Sequence, residues 1–336
     1  MEVKSINYSQ NGYSPVSNRA GRASDWPLKT SPARDSISFT SHAQCERILK
    51  KGYSQLIHQT AFDRDTKTKQ FVCDYIRDTF GERDTIKIVS GGCSTGEEAV
   101  SYSMRLYDMR KRVNILGFDL GKKAIKQANS RKFLFEIPKN NYDFKREIGI
   151  ESPYTDTYLI SPRNDGLTPS QMHFKSLFNE FFEPTGEKVR TPFAELISNM
   201  VVKRYGGTPL ELERKTYRLK DGMAENCKFI QGDVVDIDKI LGGEKAEVIS
   251  FCNALYHLTT TDVTGWRVPK KNAEQITEDL MVKFRKCLNN DGLVVFGEDE
   301  GGQLADCEMV PKVMNRLGFI PMNESPKHSP NVWKKG

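Results

Sequence analysis

A glycine-rich turn between a strand pattern and a helix pattern is the feature that most constrains this chain. The β-branched run Thr85–Val89 precedes the turn Gly91–Glu98, and a helical pattern, Ala99–Leu106, follows it. Glycine permits the positive φ angles and the close approach of backbone to ligand that such a turn requires. A strand, a glycine-rich turn and a helix in this order are typical of a nucleotide-type binding site in an open α/β sheet.

Two carboxylates at the start of that helix, Glu97 and Glu98, narrow the class of ligand. A helix N-terminus attracts a phosphate, but these two side chains repel one. A cationic or zwitterionic adenosyl ligand suits them better, and S-adenosylmethionine (SAM), with its sulfonium and α-amino groups, is such a ligand. The two glutamates argue against a nicotinamide dehydrogenase, and so does a turn that lacks the full G-x-G-x-x-G spacing. A dehydrogenase is therefore the weakest alternative.

Strand and helix patterns alternate along much of the chain, which predicts an α/β fold with a doubly wound, mostly parallel sheet. The predicted strands are Ile86–Val89, Val113–Asp119, Cys227–Asp233, Ala246–Asn253 and, after a turn at Asn289–Gly292, Leu293–Phe296. The predicted helices lie within about 41–57, 71–80, 99–107, 122–129, 273–287 and 309–317, and an extended segment follows near Phe319.

Composition divides the chain into a tail, a helical segment and the α/β domain. Residues 1–40 are rich in Ser, Asn, Arg and Pro and predict a disordered or loosely attached tail. Residues 41–84 predict an N-terminal helical segment, and residues 85–336 the domain that contains the sheet.

The stretch at about 136–215 interrupts the alternation and is too long for an ordinary connection. We expect it to form an inserted subdomain at the carboxyl ends of the strands, where it would shape a substrate site. Its residues suggest short strands within Tyr154–Ile160 and helices at Phe174–Phe178 and Ala194–Tyr205.

Charge and composition exclude several classes of protein. Lys and Arg exceed Asp and Glu by a net charge of +6 but are scattered, so no nucleic-acid partner is expected. The sequence has no long apolar run, and Met1–Ser5 does not begin an apolar signal core, so we expect a cytoplasmic protein without membrane insertion. Seven cysteines without a C-x-x-C pair and five dispersed histidines predict reduced thiols and no metal site.

Polar residues follow three of the predicted strands. Asp119 ends the second strand, where an acidic residue accepts the ribose hydroxyls of an adenosine ligand; capping the next helix is the alternative. Asp233 follows the third strand and either accepts from an adenine amino group or is a simple loop residue. Asn253, Tyr256 and His257 follow the fourth strand, where His257 either acts as a general base or merely packs.

Four stretches together resemble the CheR-type chemotaxis-receptor glutamate methyltransferases, a SAM-dependent family with the class I methyltransferase fold. Gly92–Glu98 matches their SAM-binding turn, and Thr60–Asp65 resembles their T-x-F-F-R-[DE] segment. Tyr217–Asp233 is similar to their approach to the third strand, and Asp291–Gly297 to their D-G-x-L-x-x-G strand. The resemblance covers most of residues 45–300.

The resemblance implies contacts with SAM. Thr60 and Arg64 would lie over its methionine part, with Arg64 close to the transferred methyl, and Glu97 would hold its amino group. The predicted cofactor-binding residues are Thr60, Arg64, Gly92, Cys93, Ser94, Glu97, Asp119, Asp233 and Asn253. The predicted catalytic residues are Arg64, Tyr256 and His257.

Some features depart from the family pattern. Cys252 precedes Asn253 where the family has Arg, and the family's Tyr in this loop aligns with His257, although Tyr256 is adjacent. Asp233 stands where the family usually has Asn, and the insertion is longer than the family's small β-subdomain.

The sequence therefore predicts a methyltransferase that uses SAM to methylate protein carboxylates, as in glutamate O-methylation, and releases S-adenosylhomocysteine. A glutamate carboxylate is already ionised at neutral pH and needs no base. An alcohol, phenol or amine would need one, and His257 would then be essential. The alternatives are a methyltransferase for a small molecule or another protein group, and a non-catalytic SAM-binding module.

Overall fold

A seven-stranded sheet forms the centre of the computed structural model, which describes residues 61–138, 157–161, 164, 166–187, 212–263, 266–297, 309–323 and 330–336. The strands are β1 Ile86–Gly91, β2 Val113–Asp119, β3 Lys132–Pro138, β4 Phe182–Pro184, β5 Leu212–Leu219, β6 Cys227–Gln231, β7 Ala246–Phe251, β8 Thr260–Val263, β9 Trp266–Pro269, β10 Leu288–Phe296, β11 Phe319–Pro321 and β12 Val332–Lys335. The helices are α1 Thr66–Phe80, α2 Glu97–Arg105, α3 Lys122–Ser130, α4 Pro169–Phe181, α5 Ile237–Leu241, α6 Leu255–Thr259, α7 Ala273–Cys287 and α8 Met309–Arg316.

The strands of the large sheet follow the order β11-β12-β10-β7-β1-β2-β6. Strands β6, β2, β1, β7 and β10 pair in parallel, and β12 runs antiparallel to both of its neighbours, β10 and β11. Helices return the chain between successive parallel strands, as right-handed crossovers require. The predicted α/β class with a doubly wound, mostly parallel sheet is confirmed.

Helices cover both faces of this sheet, because alternate side chains of each buried strand point to opposite sides. Ile88 and Val248 belong to a core cluster shared with α1, α2, α3 and α4. Val89 and Ile249 belong to a second cluster shared with α5, α7 and α8. Every residue of β7 is buried, as expected of a central parallel strand.

A small antiparallel sheet of order β3-β5-β4 accompanies the first face. Phe62, which precedes α1, packs edge-on against Phe133 of β3 with ring centroids 5.0 Å apart. Phe178 of α4 stacks on Phe182 of β4 at 4.4 Å. These rings join the small sheet, α4 and the segment before α1 into one aromatic core.

The predicted insertion is described only in part. The helix expected at Phe174–Phe178 lies within α4 and is confirmed, and its cap Thr168 forms a capping box with Gln171. The strand expected around Tyr158 was wrong, because Thr157–Leu159 form a 3₁₀ turn whose Tyr158 hydroxyl donates to Asp63. The predictions at Tyr154, at Ala194–Tyr205, in the tail 1–40 and in the helix at 41–57 lie outside the described residues.

Most of the other differences between the predicted and the observed elements involve strands. The turn predicted at Asn289–Gly292 is a shift of register within β10, with Asp291 left-handed at a φ of 59°. Strand β12 and the hairpin β8–β9 were not predicted. Among the helices that the structure describes, none has the length and hydrophobicity that a membrane span requires.

Candidate functional site

The turn after β1 has the backbone that its glycines predict. Gly92 and Gly96 have φ angles of 66° and 96°, and Ser94 is also left-handed at 51°. A Cβ built on Gly92 would lie 3.1 Å from the Cβ of Ala254, so the loops after β1 and β7 pack closely. The Cys93 N–H donates to the Phe118 carbonyl at 3.1 Å, which ties the turn to β2.

Asp119 connects the carboxyl ends of β1 and β2. Its Oδ2 accepts from the Ser94 N–H at 2.9 Å, and its Oδ1 accepts from the Gly121 N–H at 2.7 Å. Each carboxylate oxygen has a further lone pair, so these bonds leave acceptor capacity for a ligand hydroxyl. The alternative that Asp119 caps the next helix was wrong, because Gly121 is the N-cap of α3 and no side chain of the described residues caps that helix.

Asp233 follows β6 and lies beside Asp119. Its Oδ1 accepts from the Val235 N–H at 3.1 Å, which caps the 3₁₀ turn Val234–Asp236. The Gly232 N–H donates to the Asp119 carbonyl at 3.0 Å and joins the two loops. The structure thus brings together the two residues predicted to lie near ribose and adenine.

Asn253 presents an unpaired amide beyond β7. Its Oδ1 and Nδ2 are buried without a hydrogen-bond partner among the described residues, and its backbone is left-handed at a φ of 54°. A Cβ on Gly297 would lie 2.6 Å from Asn253 Oδ1, so glycine is required behind the amide. The Ser94 hydroxyl is also buried and unpaired. An unpaired buried polar group costs about 1–3 kcal/mol, and a bound ligand would remove that cost at both residues.

These two residues follow adjacent strands, β1 and β7, where the strand order reverses direction along the sheet. Crevices at such switch points, outside the carboxyl ends of the strands, are where open α/β sheets bind ligands. Asn253 and Ser94 therefore mark the candidate site within the described structure.

The two glutamates of α2 have different surroundings. Thr95 Oγ1 donates to the Glu97 carboxylate at 2.7 Å, within the turn itself. Glu98 instead accepts from Ser90 of β1 at 2.7 Å and from Ser250 of β7 at 2.9 Å. Glu98 therefore fastens α2 to two central strands, whereas Glu97 stays with the candidate site.

The cysteines at the site are held as neutral thiols. Burial raises the pKa of Cys93 well above its ordinary value, and Asp119 adds to the effect. Burial also raises the pKa of Cys252, and the Glu98 carboxylate adds to it. A thiolate is the reactive form of cysteine, so neither side chain is poised as a nucleophile.

The segment around Arg64 is anchored by a buried ion pair. Asp63 accepts from Arg105 Nε at 2.6 Å and from Nη2 at 2.7 Å, and its own N–H donates to Ser101 Oγ at 3.0 Å. Both side chains of the pair are almost fully buried. Arg64 is half-buried, and its carbonyl accepts a hydrogen bond from Lys69 Nζ. Thr60, predicted to accompany Arg64, lies outside the described residues.

Sequence reasoning missed Asp63, Arg105, Lys69 and the second role of Glu98. Acidic residues flank Arg64 in the sequence, at Asp63 and Asp65, but Arg105, the partner of Asp63, lies 42 positions further along the chain. Burial of Lys69 carries no signal in the sequence, since lysine is ordinarily exposed.

Tyr256 and His257 lie on the short helix α6 that follows Asn253. Their ring centroids are 4.1 Å apart; the His257 side chain is exposed, and Tyr256 packs against the second core cluster. Both residues therefore lie shortly after Asn253 in the chain, but the described residues do not enclose the His257 side chain. No group of His, Cys, Asp or Glu with metal-binding geometry occurs in the part of the chain that the structure describes.

The solved structures to which this chain is similar include several methyltransferases and a [4+2]-cyclase, SpnF. A Clostridium thermocellum protein assigned as an rRNA methylase matches at 10% identity and a TM-score of 0.34, over 80% of this chain and 95% of that one. The plantazolicin methyltransferase BpumL in complex with S-adenosylhomocysteine (SAH) matches at 12% and 0.30, over 81% and 62%. The DszA carbon methyltransferase matches at 10% and 0.36, over 80% and 53%.

No protein-family model matches the chain, and no curated protein sequence matches it either. The strand order with its single reversed strand, β12, is that of the Rossmann-like class I methyltransferase fold. No residue role is carried over from the solved structures, because their identities to this chain are low.

Proposed function

We propose that this chain is a SAM-dependent methyltransferase that transfers the methyl group to protein carboxylates. The observation that carries the proposal is the pair of unpaired buried polar groups at the switch point, the Asn253 amide and the Ser94 hydroxyl. They flank a left-handed glycine turn that is followed by the Glu97 carboxylate at the start of α2. A ligand with a cationic centre and several polar groups fits this set better than a phosphate does.

The neighbouring residues supply a contact for each part of such a ligand. The remaining lone pairs of Asp119 suit ribose hydroxyls, and Asp233, on the loop that is hydrogen-bonded to Asp119 through Gly232, would accept from an adenine amino group. Glu97 suits the α-amino group. Arg64, on the loop anchored by Asp63, would orient the acceptor carboxylate.

When bound, SAM supplies an electrophilic methyl group on a sulfonium. Transfer to an acceptor carboxylate would form a methyl ester and release SAH, a neutral thioether. No proton moves, because the acceptor is already ionised at neutral pH. The chain's contribution is alignment and exclusion of water, which can lower a barrier by several kcal/mol.

The surroundings of Asn253 favour an acceptor that needs no base. Cys252 is buried with its pKa raised, and His257 is exposed on α6. A phenol, alcohol or amine acceptor would need one of these groups to take its proton. Methylation of a small molecule or another protein group, with His257 as base, is the alternative.

The test starts with binding of SAM and SAH, measured by calorimetry for the parent and for N253G. Glycine retains the left-handed backbone but removes the amide, so we expect affinity to fall at least about tenfold, as for loss of a buried hydrogen bond to a charged ligand. D291G is the matched control, since Asp291 is also left-handed but is exposed and lies in the first half of β10. No binding by the parent would contradict the proposal.

Transfer is tested by incubating the protein and a cell lysate with SAM that carries a radioactive methyl group. Protein bands whose label leaves as methanol in mild base identify a carboxyl ester, as proposed. Base-stable label would move the acceptor to nitrogen, a phenol or sulfur. SAM binding without any label on protein or small molecules would indicate a non-catalytic binding module.

A further inference from the structure

Lys69 is a buried lysine without an ion-pair partner in the described structure. It lies on α1 with 2% of its surface exposed. Its Nζ donates one hydrogen bond, to the Arg64 carbonyl, and lies 6.0 Å from the centroid of the Tyr102 ring. The other buried cation nearby, Arg105, has a bidentate carboxylate partner in Asp63.

This arrangement is unfavourable for the protein alone. An ammonium carries three N–H donors, and Lys69 has one acceptor for them among the described residues. Removing an unpaired charge from water is expensive, and a ring face at this distance offsets only a small part of that penalty. A buried charge of this kind is ordinarily paired or contacts a ligand.

The position of Lys69 connects it with the candidate site. Tyr102, beneath the ammonium, has its hydroxyl 3.4 Å from Ser250 Oγ, which in turn lies 3.4 Å from Cys252 Sγ. The positive charge of Lys69 lowers the pKa of Cys252, against the larger effect of burial. Lys69 is therefore within electrostatic range of Cys252, which follows β7 and precedes Asn253.

The Glu98 carboxylate, which also acts on Cys252, is hydrogen-bonded to other residues. Glu98 accepts from Ser90 at 2.7 Å and from Ser250 at 2.9 Å, and it forms no ion pair with Lys69. The cluster thus has a buried positive charge whose partner is not supplied by the described chain.

We propose that Lys69 Nζ binds a carboxylate that a ligand brings to this site. The carboxylate belongs either to the methionine part of SAM or to the acceptor side chain. The proposal rests on the proposed function, because both ligands are taken from it. It assigns the recognition of a carboxylate to a residue outside the strand-end loops.

Two variants and one control test the assignment. K69M removes the charge and fills the same volume, and K69Q also keeps a donor for the Arg64 carbonyl. K67M is the control, because Lys67 lies on the same helix but is exposed. Both Lys69 variants should fold, since each replaces a buried charge that has no ion-pair partner in the described structure by a neutral side chain of similar size. If K69M does not fold, K69Q decides alone.

Calorimetry with SAM and with decarboxylated SAM separates the two sources. If Lys69 binds the methionine carboxylate, the variants bind SAM at least about tenfold more weakly and bind decarboxylated SAM as the parent does. If it binds the acceptor carboxylate, SAM affinity is unchanged and base-labile methyl label on lysate proteins falls at least about tenfold. K67M should match the parent in both measurements.

Variants that equal the parent in SAM affinity and in methyl label would overturn the assignment. An equal loss of affinity for SAM and decarboxylated SAM would also overturn it, because the lysine would then act on the shape of the site. A parent that binds no SAM would instead contradict the proposed function, so the two failures are distinguishable.

Discussion

The Asp119 carboxylate accepts a hydrogen bond from the Ser94 backbone N–H at 2.9 Å, across the ends of two adjacent parallel strands. The acidic residue therefore holds the left-handed turn in place, in addition to facing the candidate site. A loss of ligand binding on mutation of Asp119 has two causes, a lost contact and a relaxed turn. Measurements of affinity and stability on the same variant separate them.

We expect D119N to bind SAM at least about tenfold more weakly than the parent, because the amide nitrogen cannot accept from Ser94 or from a ribose hydroxyl. The free energy of unfolding should also fall, by about 1–3 kcal/mol. Calorimetry and urea unfolding measure the two effects. D238N, at an exposed aspartate of α5, should change neither. Unchanged affinity in D119N would remove the ribose assignment.

D63N should destabilise the protein by about 3–5 kcal/mol, because it leaves the Arg105 guanidinium buried without a counter-charge. The double variant D63N/R105M should have a free energy of unfolding close to or above that of D63N, since the unpaired charge is then gone. Urea unfolding of the two single variants and the double variant tests this. E183Q breaks the exposed Arg218–Glu183 pair and should change stability by less than about 1 kcal/mol.

H257A should leave turnover on a carboxylate acceptor within about twofold, because an ionised carboxylate needs no general base. On a phenol or amine acceptor the same change should reduce turnover by about a hundredfold or more. Initial rates on the acceptor identified by methyl labelling decide between them. A large loss on a confirmed carboxyl ester would contradict the mechanism proposed here.

Two buried thiols make stability depend on pH above neutrality. Burial raises the pKa of Cys73 and of Cys227 from 9.0 to about 12. Above pH 9 the unfolded chain releases these protons and the folded chain keeps them, so the free energy of unfolding falls as pH rises from 9 toward 12.

At about pH 10 the loss should be about 1.4 kcal/mol for each thiol relative to about pH 8. The double variant C73A/C227A should show a correspondingly smaller difference between the two pH values. Urea unfolding with a reducing agent present measures it. An unchanged pH dependence in the double variant would show that other groups cause it.

The central strands and most of their helices could be predicted because their patterns are regular. Strands β1, β2, β6 and β7 are β-branched or apolar runs, and α7 has helical periodicity over its length. Strand β12 could not be predicted, because it has only four residues, two of which are lysines. It is defined by its pairing with β10 and β11. The 3₁₀ turn at Tyr158 replaced an expected strand, because contacts of Tyr158 with Asp63 override local preference.

Some features of the candidate site could likewise be predicted from the sequence, and others could not. The turn around Gly92 was predictable from local composition, since only glycine readily takes its backbone angles. The Asp63–Arg105 pair joins residues 42 positions apart, and no local pattern encodes such a contact. The unpaired state of Asn253 is a property of the space around its amide, including the missing side chain of Gly297, and it emerges only when β7 and β10 lie side by side.

The reversed strand β12 also affects the order in which the protein can fold as it is synthesised. Trp333 is fully buried between β10 and β11, and Asn331, just before β12, donates to Thr68 of α1 at 3.0 Å. During synthesis, Thr68 leaves the ribosome long before Asn331 and Trp333 do. The helix that carries Lys69 therefore lacks this contact until Asn331, 263 positions after Thr68, has been synthesised. The candidate site is consequently completed only when β12 closes the sheet between β10 and β11.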